Sequence, residues 1–282
     1  MDNKARERTL QDKIISTLNS IRYALTEPII LRIMRILHEK DYKDKNENPL
    51  ISVYTPTYNR AQLLIERAVN SVLNQTYKNF EYIIVGDCCT DNTEELISKI
   101  KDPRIRFYNL PKRGYRYPPT VENHWFAGPV VPANFALKMV RGKWIARIDD
   151  DDIWTSDHLE VLLKFAQEGN YEFVSSSYIA VRHGKEILVD VKDQHPRIGG
   201  TQTWLYRSYL KFMKYNIHCW RKKWNRVNDT DLQDRFYKAG VRIGFLEKVT
   251  CYVIPRPGEE TIGLEAYRLT AQEKLKHFSF NS

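Results

Sequence analysis

Apolar residues return at helical spacing in the first part of the chain: Ile14, Ile15, Leu18, Ile21 and Leu25, then, beyond Pro28, Ile29, Ile30, Ile33 and Leu37. Divided at the proline, the pattern predicts a helical pair within residues 1–45, with Arg22, Arg32 and Arg35 among its apolar positions. Such a pair packs its stripe on the main body or lies in a membrane interface, and the pattern leaves both open. The polar stretch DYKDKNENP reads as a linker.

From residue 50 the period changes. LISVY, FEYIIV, RIRFYNL and KWIARI are short β-rich runs, and NRAQLLIERAVNSVL, TDNTEELISKI and ANFALKMV are the helical runs between them. Asn59 is expected to cap the first helix with Gln62 in the capping-box position, and Thr90 or Asp91 opens the second. Strands alternating with helices imply an α/β fold with a mainly parallel, doubly wound sheet, whose ligands sit beyond the carboxyl ends of the strands. After residue 155 the pattern predicts a helix in SDHLEVLLKFA and a hairpin of FVSSSYIAV and KEILVDV around Arg182, His183 and Gly184. A helix in DLQDRFYKAG closes at Gly240, and two strands follow in VRIGFL and TCYVI. The expected division is a helical extension over 1–48, an α/β domain over 49–255 and a tail over 256–282.

The 282 residues allow one large α/β domain with appendages or two small domains. The net charge of +9 is uneven: residues 182–282 carry about +8 of it, which suits an anionic partner. Cys88, Cys89, Cys219 and Cys251 lack metal-type spacing and two of them are adjacent, so a reducing, cytoplasmic setting is expected. No charged-then-apolar leader opens the sequence, and no apolar run is long enough to span a bilayer. Within TWLYRSYLKFMKYNIHCWRKKWNR, seven basic residues (Arg207, Lys211, Lys214, Arg221, Lys222, Lys223, Arg226) interleave with Tyr209, Phe212, Tyr215, Trp220 and Trp224. That mixture suits a nucleic acid, a lipid diphosphate or an anionic bilayer, or else a core-facing aromatic stripe with solvated lysines.

The densest chemistry is IDDDDIW at 148–154. Carboxylates this close repel each other, and a hard divalent cation with oxygen ligands relieves the repulsion; Mg²⁺ or Mn²⁺ needs only one or two of them together with substrate phosphates. A solvated acidic turn is the competing reading, but Ile148, Ile153 and Trp154 flank the run tightly. VYTPTYNR places Thr55, Pro56 and Thr57 in a rigid turn before a helix, and VGDCCTDNT places Asp87 just past the second strand at the same edge. A carboxylate there accepts from a base N–H or a ribose hydroxyl. Asp91 reads as a helix cap or a packing acid. The segment RGYRYPPTVENHWFAGPVVP carries Tyr115, Tyr117, His124, Trp125 and Phe126, a set that either stacks on sugars and bases or forms a satellite cluster under a long loop.

Taken together, SVYTPTYNRAQLLIERAVNSVLNQTYKNFEYIIVGDCCTDNT, IDDDDIW with DHLE, and VNDTDLQDRFYKAG resemble family 2 glycosyltransferases of the GT-A fold over roughly residues 50–250. The resemblance implies a Rossmann-like sheet flanked by helices and transfer, with inversion, from a nucleoside diphosphate sugar, UDP-linked, to an acceptor hydroxyl of a glycan or lipid-linked molecule. It implies that Thr55, Pro56 and Tyr58 line the nucleotide pocket, that Asp87 contacts the base, and that Asn134 is what remains of an Arg-Asn donor contact. Asp149 and Asp151 would form the metal-binding pair for Mn²⁺ or Mg²⁺, with Asp149 nearer the ribose and Asp150 between them in the donor site. Asp229 would be the catalytic base, with Asp231 as the alternative. The usual late histidine is replaced by Arg256, with His218 and His195 as other candidates. The setting implied is cytoplasmic, with peripheral contact at the inner face of a membrane, and nucleic acid is the disfavoured partner. Two rival classes are a nucleotidyltransferase, whose Gly-rich basic loop TPTYNR lacks, and a non-catalytic nucleic-acid or membrane binder, which leaves Asp87, Asp149, Asp151 and Asp229 unexplained.

Overall fold

An interior strand, β1 (Ile51–Thr57), is buried on both faces, as a parallel strand covered by helices must be. Around it the computed structural model, which describes residues 8–43, 48–222 and 227–270, builds one nine-stranded sheet. After the long helix α1 (Leu10–His38) and β1 come α2 (Ala61–Leu64), a π-turn (Ile65–Val69) and α3 (Asn70–Leu73), which run on without a break. They are followed by β2 (Phe80–Gly86), α4 (Thr93–Ser98), β3 (Ile105–Asn109), α5 (Val121–Ala127), α6 (Val130–Met139) and β4 (Trp144–Arg147). The second half holds β5 (Asp152–Trp154), α7 (His158–Glu168), β6 (Phe173–Arg182), β7 (Lys185–Val189), β8 (Leu205–Arg207), α8 (Asn228–Ala239), β9 (Ile243–Val253) and α9 (Gly263–Leu269).

The sheet order is β3-β2-β1-β4-β8-β6-β9-β5, with β7 also on β6. The first four strands are parallel, as the alternation predicts. From β8 onward the sheet is mixed: β8 runs antiparallel to both β4 and β6, while β9 is parallel to β6 and antiparallel to β5. The expected β6–β7 hairpin is present, but VRIGFL and TCYVI are halves of one strand, β9, whose register against β6 shifts at Ser176 and Ser177. An irregular register of this kind bends a strand without ending it. Two hydrophobic layers, one on each face, enclose the sheet; Tyr54, Phe173, Trp204 and Phe236 lie in one, and Val53, Tyr82, Trp154 and Leu162 in the other.

Asn59 does not cap the helix after β1; it takes positive φ, while the Asp91 carboxylate accepts from the Ala61 N–H. The same carboxylate accepts from the Thr93 N–H, so one acid serves two helix starts. Gly240 closes α8 as expected, at φ +84°, the left-handed conformation a glycine adopts without penalty.

The amino-terminal pair is in fact a single helix. Pro28 lies inside α1 and does not break it, because the helix is fastened to the domain on both sides of the proline. Glu27 is paired with Arg235, Leu31 is fully buried, and Arg35 pairs with Glu172 at 2.5 Å. At the start of the helix Asp12 pairs with Arg221 at 2.6 Å, and Thr9 with Asp12 forms a capping box. The inward side of α1 is therefore largely polar, and the apolar stripe faces away from the domain: Leu18, Leu25 and Ile29 are more than 60 % exposed.

The aromatic members of the 207–226 stretch go inward. Tyr209, Tyr215 and Trp220 are core residues, and Arg207 is buried beside Tyr42 and Glu39. Lys223, Trp224 and Arg226 of that stretch, part of the polar linker, and the tail beyond residue 270 lie outside the described residues.

Candidate active site

Strand register brings the acidic and small polar residues to one edge. Thr57 pairs with Gly86 and Tyr54 with Arg147, so the chain leaves β1, β2 and β4 at neighbouring points. Backbone bonds from Asp87 N to Thr57 O (2.8 Å) and from Ile148 N to Tyr54 O (3.2 Å) continue the ladder into the loops. Pro56 lies past the last β1–β4 pair, so its missing N–H leaves no ladder bond unmade. Beyond this edge opens a cavity of about 820 Å³, bordered by Pro56, Tyr58, Asp87, all four acids of 149–152, Asp229 and the start of α9.

The four consecutive acids have four different surroundings. Asp149 pairs with Arg147 at 2.8 Å and is the most exposed of the three that form ion pairs. Asp150 accepts from Thr57 Oγ1 and from Arg60, each at 2.8 Å. Asp151 accepts from Arg256 Nε at 2.6 Å and has Arg60 at 3.6 Å. Asp152 is buried in β5 against β9. Their titration diverges accordingly. Burial works against ionisation of Asp151, but the charges of Arg256 and Arg60 prevail and hold it below the ordinary carboxylate value. Burial, then the charges of Asp151, Asp149 and Asp150, push Asp152 well up, which favours its neutral form. Asp150 is raised by burial too, against the pull of Arg60.

Arg67 fixes the acidic loop from beneath. Its guanidinium donates to the backbone oxygens of Asp151, Ile254 and Pro255 at 2.7–2.9 Å, tying the acidic loop after β4 to the segment after β9. Asp87 is gripped by Arg113 Nε (2.9 Å) and by both terminal nitrogens of Arg116 (2.7 Å each). Arg113 also lies over the Tyr58 ring at 3.9 Å. Asp229, in the first turn of α8, accepts from Thr201 Oγ1 at 2.8 Å. Five arginines, Arg60, Arg113, Arg147, Arg182 and Arg256, line the one cavity. His124 joins them as a neutral ring: burial, then the nearby arginine charges, lower it well below its ordinary value.

Some expected site residues stand elsewhere. Thr55 is fully buried and does not border the cavity; its hydroxyl donates to Ile148 O at 2.9 Å and meets Tyr82 Oη at 2.9 Å, so it holds β1 to the acidic loop. Asn134 is away from the cavity, where its side-chain amide exchanges two hydrogen bonds with the backbone of Tyr215. Asp231 is buried between Lys222 and Arg235 and does not border the cavity. His218 and His195 do not line it either, whereas Arg256 does. Arg60, Arg67, Arg116, Thr201 and Tyr267 were not expected. Arg60 and Arg67 follow VYTPTYN closely, a signal present in the sequence, but the rest reach the site only through tertiary folding.

Among the described residues no group of three or more His, Cys, Asp or Glu side chains gathers as a metal cage. Asp149 and Asp151 nevertheless both border the cavity, and two carboxylates completed by a substrate diphosphate are a donor set that Mg²⁺ and Mn²⁺ accept. The residues fit a cation shared with a ligand.

The chain is similar to known proteins. The chain is 40 % identical over 123 residues to the putative colanic acid biosynthesis glycosyl transferase WcaA of Escherichia coli K12, covering 43 % of this chain and 39 % of that protein. It is 34 % identical over 170 residues to the E. coli UDP-Glc:alpha-D-GlcNAc-diphosphoundecaprenol beta-1,3-glucosyltransferase WfaP, covering 60 % and 58 %. The chain thus spans less than two thirds of the length of these relatives. Among solved structures, S. aureus TarS 1–349 in complex with UDP-GlcNAc superposes with a TM-score of 0.58 at 21 % identity, covering 74 % of this chain and 60 % of that one. The mannosyltransferase PcManGT of Pyrobaculum calidifontis, in complex with GDP-Man and Mn²⁺, gives 0.56 at 16 %, covering 88 % and 70 %. These likenesses establish the GT-A-type fold. Residues 52–117 and 123–229, which carry all but the first residue of β1, Asp87, the acidic run and Asp229, match the profile of Glycosyl transferase family 2, and the chain belongs to that family.

Proposed function

We propose that the chain transfers a sugar from a nucleoside diphosphate sugar, UDP-linked, to an acceptor hydroxyl with inversion, in the synthesis of a polysaccharide or glycoconjugate. One observation carries the reading: carboxylates suited to a cation, a carboxylate suited to a base, and five arginines suited to a diphosphate border a single cavity. In this scheme Tyr58 and Asp87 hold the nucleoside, and ion pairs with Arg113 and Arg116 fix the direction of the Asp87 carboxylate. Asp229, oriented by the Thr201 hydroxyl, takes the proton from the acceptor hydroxyl. The acceptor oxygen bonds to the anomeric carbon from one side as the bond to the diphosphate oxygen breaks on the other. The departing diphosphate keeps that electron pair, and the arginines balance its charge. A divalent cation bound by Asp151 and Asp149 would add Lewis-acid stabilisation of the same leaving group. The acceptor we favour is a glycan carried on a polyprenyl diphosphate, the kind named for WfaP, with the reaction at the inner face of a membrane.

Calorimetry with UDP-sugars and Mn²⁺, paired with a transfer assay, tests the scheme. Asp151→Asn is expected to weaken metal-dependent donor binding by about tenfold or more. Asp229→Asn is expected to keep donor binding and lower transfer by about a hundredfold or more. Full transfer by the Asp229 variant, or no binding of any nucleotide sugar by the wild-type chain, refutes it.

A further inference from the structure

The packing of α1 reverses the usual arrangement of an amphipathic helix. A surface helix turns its apolar stripe to the core and its charges to water. Here Asp12, Ser16 and Glu27 are buried against the domain, while Ile14, Leu18, Ile21, Leu25, Ile29 and Ile33 are 49–66 % exposed. At 3.6 residues per turn these six fall on one side of the helix, in a ridge that spans most of its roughly 43 Å length. A contiguous apolar ridge of that extent marks an interaction surface.

Charge identifies what covers it. Both acids within α1, Asp12 and Glu27, are withdrawn into ion pairs with Arg221 and Arg235. The charged residues left exposed on the helix are Lys13, Arg22 and Arg32, all basic, and both arginines fall within the arc of the apolar ridge. Apolar side chains flanked by cations, with no exposed acid on the helix, complement the boundary between acyl chains and anionic headgroups. They do not complement a second copy: Arg22 is near the middle of the helix, so a two-fold pairing of α1 with itself brings like charges together across the axis. No helix of the described residues is long and apolar enough to cross a membrane, so the helix would rest on the bilayer.

We infer that the outward face of α1 docks on an anionic lipid surface, with the helix lying in the membrane plane. The inference rests on the helix alone and stands or falls separately from the sugar chemistry. The full chain is sedimented with vesicles of phosphatidylcholine and with vesicles of phosphatidylcholine and phosphatidylglycerol in roughly equal parts, in the absence of nucleotide. The chain is expected to bind the mixed vesicles, and less so at high salt. Changing Leu18, Ile21, Leu25 and Ile29 together to Gln should reduce binding by about tenfold or more, with circular dichroism and calorimetric UDP-sugar binding unchanged, since these side chains are exposed. Arg22→Gln with Arg32→Gln should remove the preference for anionic lipid, at about fivefold per arginine. Absence of binding to either vesicle overturns the inference, as does undiminished binding by the fourfold variant. A wild-type dimer in light scattering that the fourfold variant reduces to monomer also overturns it, and gives the face to a second copy.

Discussion

At the scale of single residues, the site is an exercise in neutralising carboxylates by different means. Asp150 and Asp151 are balanced by arginine, while Asp152 is held towards its neutral form by burial and by its three acidic neighbours. Asp87 is the extreme case, an acid 1 % exposed between two arginines that are themselves nearly buried. A buried charge deprived of its counter-charge is far more costly than the pair is beneficial. Asp87→Ala is therefore expected to destabilise the fold by about 3–5 kcal/mol in urea denaturation, in addition to weakening donor binding. Asp87→Asn keeps the volume and one acceptor oxygen but turns an amide NH2 towards arginine donors, so it should recover only part of either loss. The position of Asp87 at the cavity edge was legible from its place after a strand. Its partners were not: Arg113 and Arg116 belong to a loop 26 and 29 residues downstream, and no local pattern announces a contact at that separation.

At the scale of elements, two helix ends carry checkable consequences. Gly240 ends α8 in the left-handed region, and a methyl group added there would have nothing within 4 Å, so Gly240→Ala meets only backbone strain. A loss of about 1–2 kcal/mol is expected by thermal denaturation. Near the carboxyl-terminal end of α1, Arg35 meets Glu172. Burial would raise this carboxyl, but donors from Arg35, the Arg242 N–H and Tyr209, with the Arg242 charge, outweigh it and hold Glu172 below its ordinary value. A carboxyl whose folded value is depressed contributes stability above its unfolded value and loses it as pH falls through the folded one. Melting temperature should therefore decline from about pH 4.5 downward, and Glu172→Gln should flatten that decline. The elements themselves were largely readable: the alternation from residue 50 onward anticipated β1 to β4, and the turn at Arg182–Gly184 anticipated the β6–β7 hairpin. Two features were not. Pro28 is a helix breaker by its missing N–H, yet anchors on either side hold α1 whole. Asn59 resembles a cap, yet Asp91, far along the chain, takes that work. In each case a tertiary contact outweighed a local preference.

At the scale of the whole molecule, the features form one connected body. α1 packs on α8, and α8 bears Asp229 in its first turn and Arg235, which grips Glu27 of α1, about two turns later. The periodicity of α1 was plain in the sequence, but whether the stripe turned inward or outward was not, because amphipathicity fixes the angle between two faces and not which face meets protein. With the stripe outward, the stretch that bears the candidate base is braced against the stretch that meets the lipid. A chain held this way searches for its acceptor in two dimensions. Turnover on a bilayer-borne acceptor should then follow the number of acceptors per unit area. Diluting the acceptor with inert lipid should slow the reaction, while adding buffer at fixed vesicle composition, with the chain still bound, should leave it nearly unchanged.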